Sequence, residues 1–159
     1  MSNAQIKFTP TTVIKTYPPE ELDRWGRELF AYTNLAHSTP QLINAGHGWI
    51  EMERCTPVTA LHPSETIKHR ELLWGRLSHI HDVGYWHCDI DLVNVVIHPE
   101  RGPLILDFEN LTPASTTRSY DQWGAEAVGV QPAWRGKGPS GVWWGSPSPT
   151  SPMNWWRQA

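Results

Sequence analysis

Apolar residues recur along this chain with two different periods, and the switches between them mark its elements. In "FTPTTVIKTYPP" the β-branched stretch Thr11 to Thr16 lies between prolines and predicts one strand. "PPEELDRWGRELFAYTNL" then opens with prolines and acids, as a helix start does. Leu22, Trp25, Leu29, Tyr32 and Leu35 or Ala36 follow at helical spacing, which predicts an amphipathic helix ending near Leu35. Gly26 weakens that helix without breaking it. "TPQLINAGHGWIEMERC" predicts two short strands about a turn at Ala45 to Gly48.

The clearest helical pattern is "HPSETIKHRELLWGRLSHIHDVG". Ser64 is a suitable N-cap, Ile67, Leu72, Leu73, Leu77 and Ile80 supply the apolar side, and Gly84 is a stop signal. "LVNVVIH", a turn at "PERG" and "PLILDFE" together predict a β-hairpin whose apolar residues are interrupted only by Asn94 and the closing acids. From Leu111 the texture changes. "YDQWGAEAVGV" predicts a short helix with Asp121 near its start, and the Gly-, Pro- and Ser-rich remainder predicts little regular structure. That remainder still carries Trp134, Trp143, Trp144, Trp155 and Trp156, so it reads as an irregular extension packed on the domain, or as a surface for a partner.

Composition narrows the class. The 159 residues, 39% of them hydrophobic, suffice for one domain with an extension. A formal charge of −3 gives no reason to expect nucleic-acid binding. No apolar run approaches the roughly 18 residues of a membrane span, and the first residues lack the apolar stretch of a signal peptide. Cys55 and Cys88 form no CxxC-type pattern and read as free thiols. These features together lead us to expect a cytoplasmic protein, with no membrane or nucleic-acid partner.

Chemistry concentrates in "GYWHCDIDLVNVVIHPERGPLILDFEN", where acids sit among Val, Ile and Leu. Charge in such surroundings needs a partner. Asp89, Asn94 and Asp107 fall at a loop and at a strand end of one hairpin, so their side chains can converge. A carboxylate and an amide oxygen suit a hard cation such as Mg²⁺, and a second carboxylate can orient a hydroxyl or take its proton. Phosphoryl transfer needs such a set. His79, His81 and His87 raise zinc as an alternative, which the two-residue spacing of the first pair on a helix disfavours.

The stretch resembles the "HxDxxxxN" and "DFG" loops of the protein-kinase-like superfamily. The resemblance runs from about Val13 to Gly129. "TVIKTY" resembles the strand with the nucleotide-binding lysine, and "RELFAYTNL" the helix with its glutamate partner. "GWIEMERC" resembles the strand entering the hinge, and "LLWGRLSHIHDVGYWHCD" the helix before the catalytic loop. It implies an α+β, truncated two-lobe kinase-like fold, with a small antiparallel sheet plus helix over residues 1–55 and a reduced helical large lobe over 56–130. Residues 131–159 are then an extension.

By the same resemblance Asp89 is the catalytic aspartate, and Asn94 and Asp107 hold Mg²⁺ against ATP. Lys15 contacts the α- and β-phosphates and pairs with Glu28, although Glu20 and Glu21 are neighbouring acids. Met52, Glu53, Arg54 and Cys55 lie against adenine, with backbone hydrogen bonds near Arg54. His87 braces the loop, and Asp121 steadies it. The implied activity moves the γ-phosphate of ATP to a hydroxyl on a protein or small molecule.

Four departures separate the chain from regulated protein kinases. No glycine precedes Lys15, Asp91 stands where many kinases place a lysine, "DFE" replaces "DFG", and no "APE" element follows. The layout is closer to RIO-type and aminoglycoside-phosphotransferase-like kinases. The departures also allow an alternative, a pseudokinase-like module that binds nucleotide or a protein partner without turnover.

Overall fold

The structure is a computed structural model and describes residues 2–58, 69–90 and 92–114. Its first part is a four-stranded antiparallel sheet of β1 (Gln5–Phe8), β2 (Thr12–Thr16), β3 (Leu42–Gly46) and β4 (Trp49–Glu53), in the order β1-β2-β4-β3. Helix α1 (Leu22–Asn34) connects β2 to β3. The register sets Lys15 opposite Ile50 and Val13 opposite Met52. Because side chains alternate along a strand, Val13 and Lys15 share one face of β2, and Tyr17 follows just past its end.

The second part contains β5 (Thr56–Pro57), helix α2 (Arg70–Asp82), β6 (Tyr85–Trp86), β7 (Val95–His98), β8 (Gly102–Ile105) and β9 (Thr112–Pro113). Strands β7 and β8 form the expected hairpin, joined on one side by β5, while β6 pairs with β9. The fold is therefore α+β with antiparallel sheets. Gly84 follows the last turn of α2 at φ 97°, a conformation costly for a residue with a Cβ.

One apolar core runs through both parts. Ala31 and Tyr32 of α1 and Leu35 just after it meet Ile50 and Met52 of β4, and the same cluster takes in Leu73, Leu77 and Ile80 of α2 with Val95, Ile97, Ile105 and Phe108. Phe108 is fully buried, its ring edge-on to Tyr32 at 5.9 Å and to His87 at 4.7 Å. It thus joins α1 to the loop that carries the acids. Truncating such a side chain costs about 3–5 kcal/mol.

Two expectations change. The N-terminal region forms two strands and not one: β1 is added by pairing Ile6 with Lys15 across a Thr9–Thr12 turn. All four of its residues are exposed, and the brief alternation of Gln5, Ile6, Lys7 and Phe8 puts its apolar side chains in solvent and not in the core. Leu72 does not share the apolar side of α2 and is half exposed. At 3.6 residues per turn Leu73, Leu77 and Ile80 make one stripe, and Leu72 sits about a quarter-turn away from it. The Ser64 cap, Ile67, Asp91, Asp121 and the Trp-rich extension lie outside the described residues.

Candidate functional site

Lys15 is 7% exposed, and a buried ammonium requires charged partners. Its Nζ donates to Glu28 Oε2 at 2.9 Å, to Asp107 Oδ1 at 3.3 Å and to Glu109 Oε2 at 3.4 Å. Burial pulls the lysine pKa down, but Glu28, Asp107 and Glu109 together outweigh it and hold the pKa above the ordinary value. Glu28 sits near the middle of α1 and is only 1% exposed. Its burial pushes the carboxyl up, and Lys15 restrains the rise. The Tyr17 hydroxyl also donates to Glu28, and burial followed by the Glu28 charge drives the phenol pKa upward. Glu21, a competing acid in the sequence, is instead held by Ser2 Oγ at 3.0 Å and the Asn3 amide at 3.1 Å.

The acidic loop is built on hydrogen bonds. Buried His87 donates from Nε2 to the Leu106 carbonyl at 2.7 Å, and its Nδ1 accepts the Asp89 amide at 3.1 Å. One ring thereby fixes the backbone at Asp89 and just before Asp107. Asn94 donates from Nδ2 to the Asp89 carbonyl at 2.9 Å and to Asp89 Oδ2 at 3.2 Å, while the Leu106 amide donates to the Asn94 carbonyl at 2.8 Å. With its nitrogen spent on Asp89, the Asn94 amide keeps its oxygen for another partner. Cys88 (φ 69°) and Asp107 (φ 63°) both occupy the left-handed region, which costs a non-glycine residue roughly 1 kcal/mol. Two such residues flank the site's acids, and the His87 and Asn94 bonds hold them there.

Two cavities meet at Lys15 and Asp107. The first, 390 Å³, is polar and is lined by Lys15, Arg24, Asp89, Asp107, Glu109 and Ser2 among others. The second, 400 Å³, presents Val13, Tyr32, Met52, Cys55, Val96 and Leu106, with Glu28, Asn94 and Asp107 at its polar end. Met52, Glu53, Arg54 and Cys55 all line this second cavity. The hydrogen bonds expected near Arg54 need adjusting, however. The Glu53 amide is donated to the Gln41 carbonyl and the Arg54 amide to Thr11, both at 2.9 Å. The Glu53 carboxylate is likewise engaged, by the Gln41 amide at 2.8 Å and by His98 and Arg101.

The charges do not balance. Glu28, Glu53, Asp89, Asp107 and Glu109 line the two cavities, against Lys15, Arg24 and Arg54. Ligand atoms of Glu28, Asp107 and Glu109 lie within 4.8 Å of one another, and the cation among them is Lys15. An excess of carboxylate around a single lysine suits an additional hard cation beside Asp107 and the Asn94 amide.

Four residues of the site were not anticipated as contributors: Tyr17, Arg24, Arg27 and Glu109. Glu109 is 5% exposed, and its Oε1 accepts from Arg24 at 3.2 Å while its carbonyl accepts from Arg27 Nε at 2.6 Å. In the sequence Arg24 and Arg27 look like any solvated helix cations; only their one-turn spacing beside Glu28 hints at a shared face.

No family profile matches the sequence, and no curated protein matches it. Among solved structures the chain is similar to the bifunctional kinase-methyltransferase WbdD, with a TM-score of 0.59 at 16% identity. The match covers 78% of this chain and 33% of that one, so this chain spans about a third of its length. The likeness is one of fold, and it supports a kinase-like arrangement. No helix among the described residues is long and apolar enough to cross a membrane.

Proposed function

We propose that the chain is a kinase-like phosphotransferase that moves the γ-phosphate of ATP, with Mg²⁺, to a hydroxyl of a protein or small-molecule acceptor. The observation that carries this reading is the meeting of an apolar and a polar cavity at Lys15 and Asp107. The base fits the slot between Val13, Met52 and Leu106, with Cys55 as the backbone donor left after Glu53 and Arg54 are spent. The phosphates fall beside Lys15. Asp107 and the Asn94 oxygen would hold Mg²⁺, which supplies charge neutralisation at the phosphates. Asp89, exposed and oriented by Asn94, accepts a hydrogen bond from the acceptor hydroxyl and takes its proton. In two-lobe terms, β1 to β4 with α1 form the small lobe, and α2 with β5 to β9 the reduced large one.

Thermal unfolding of the purified chain tests the reading. ATP with Mg²⁺ should raise the midpoint more than ATP with a chelator; saturation at 100 times Kd is worth about 2.7 kcal/mol. Asp107→Ala should remove the metal-dependent part and any ADP formation. Equal shifts in wild type and variant would overturn the proposal. A second reading, nucleotide binding without turnover, has one observation in its favour. Glu109 already faces Lys15 at 3.4 Å, where it opposes an incoming phosphate. It predicts a shift that ignores Mg²⁺ and no ADP.

A further inference from the structure

Glu109 bonds through every oxygen it has. Oε1 accepts from Arg24 at 3.2 Å, Oε2 lies 3.3 Å from the Tyr17 hydroxyl and 3.4 Å from Lys15, and the carbonyl accepts from Arg27 at 2.6 Å. Arg24 and Arg27 belong to α1, the helix that carries Glu28. Glu109 follows β8 and comes two residues after Asp107. A single side chain and its own carbonyl therefore connect the helix holding the Lys15 partner to the segment holding the acid of the adjoining cavity.

We propose that Glu109 is a positioning residue, a strut that keeps α1, and with it the Lys15–Glu28 pair, seated against residues 107–110 before any ligand arrives. The inference rests on the phosphotransferase reading for its purpose but not for its geometry. A filler of a buried polar gap would need one partner, whereas this carboxylate divides its oxygens between α1 and β2. Its loss leaves no buried charge stranded: Lys15 keeps Glu28 and Asp107, and Arg24 at 27% side-chain exposure can turn to water. The strut is thus separable from overall stability, and its removal should loosen α1 alone.

Amide hydrogen exchange on the ligand-free protein tests this in wild type, Glu109→Gly, Glu109→Gln and Arg24→Met. Hydrogen bonds to charged groups contribute about 1.5 kcal/mol or more, so exchange in Leu22–Asn34 should rise roughly tenfold in Glu109→Gly and in Arg24→Met. Glu109→Gln keeps an acceptor for Arg24 without the charge and should fall between these and wild type. The amides of α2 should not change. Unchanged α1 exchange in Glu109→Gly overturns the proposal, and so does a parallel rise in α1 and α2, which marks general destabilisation. Because no ligand is present, a failure of Mg²⁺-ATP binding would remove the phosphotransferase reading and leave this result standing.

Discussion

The molecule places cations in two partly buried settings and satisfies them in opposite ways. Arg76 of α2 donates to the carbonyls of Pro103 at 3.2 Å, His37 at 2.8 Å and Arg101 at 2.7 Å. Arg101 in turn donates to the carbonyls of Thr39 at 3.0 Å and Ala36 at 2.7 Å. These two guanidiniums fasten the loop after α1 to α2 and to the β7–β8 turn. Backbone carbonyls are neutral, and among the described residues the carboxylate that pairs with these arginines is Glu53, 3.6 Å from Arg101. Around Lys15 the partners are carboxylates, in excess. Neutral acceptors make a fastening; surplus charge of one sign is the feature on which the proposed binding of a cation rests.

The sharpest way to break this comparison is Lys15→Met. It leaves Glu28, Asp107 and Glu109 facing one another without their common cation. Removing one partner of a buried ion pair costs about 3–5 kcal/mol, and urea unfolding at neutral pH should show a loss of that size. The loss should shrink in acid. The Glu28 pKa already lies above its ordinary value of 4.5, through burial, and without Lys15 the Tyr17 hydroxyl is left to restrain the rise. A carboxyl raised in the folded state favours folding fully below its unfolded pKa, and that contribution disappears as pH rises through the folded value. A variant equally destabilised at all pH values would show that the acids do not repel.

How much of this was legible follows the same division. Lys15, Asp89, Asn94 and Asp107 announced themselves because a charge or amide beside Val, Ile and Leu is conspicuous, and the hairpin that presents the last two is a near-continuous apolar run, buried along almost its whole length. Tyr17 was hidden next to Pro18, where the sequence reads as loop. Glu109 was visible as a departure from a glycine, but its partners Arg24 and Arg27 were not, since a helix cation turned inward has the same spelling as one turned outward. The Arg76 and Arg101 fastening left no signal at all. Its acceptors are main-chain carbonyls, which every residue possesses.

Arg76→Met probes the neutral half. Three carbonyls lose a charged donor, and water replaces it only in part because the site is half-buried. A destabilisation of about 2 kcal/mol is expected in urea. Thermal shifts with Mg²⁺-ATP should match those of wild type once the lower baseline is subtracted. A lost shift would mean that the fastening and the binding region are not separate.

Tyr17→Phe should cost less, about 1 kcal/mol, since it removes one hydroxyl from Glu28 and leaves the ring in place over Lys15. Its signature lies in alkali. Burial and the Glu28 charge raise the folded Tyr17 pKa far above the phenol's ordinary value of 10.0. The resulting stabilisation is complete below pH 10.0 and is lost as the pH climbs toward the folded value. Lys15, also raised, adds a second loss beginning above its ordinary value of 10.5. Comparing urea midpoints at about pH 9 and about pH 11 should therefore give a shallower fall for the variant than for wild type, though not a flat one.

The smallest effect belongs to Asp23→Asn. Asp23 pairs with Arg27 at 3.3 Å one turn along α1, but their side chains are 65% and 38% exposed. Water screens such a pair, and an i,i+4 contact of this kind contributes about 0.3–0.5 kcal/mol. The Arg27 bond to the Glu109 carbonyl uses a different nitrogen and should survive. Stability should move by less than about 0.5 kcal/mol, falling to nothing in high salt, with α1 exchange unchanged. This contrast isolates what matters at Glu109. Arg27 touches an acid and a carbonyl at once, and if only the carbonyl bond affects the helix, then charge at an exposed position is incidental and placement against the acidic segment is not. A loss above about 1 kcal/mol in Asp23→Asn would instead mean that α1 is held from its solvent side.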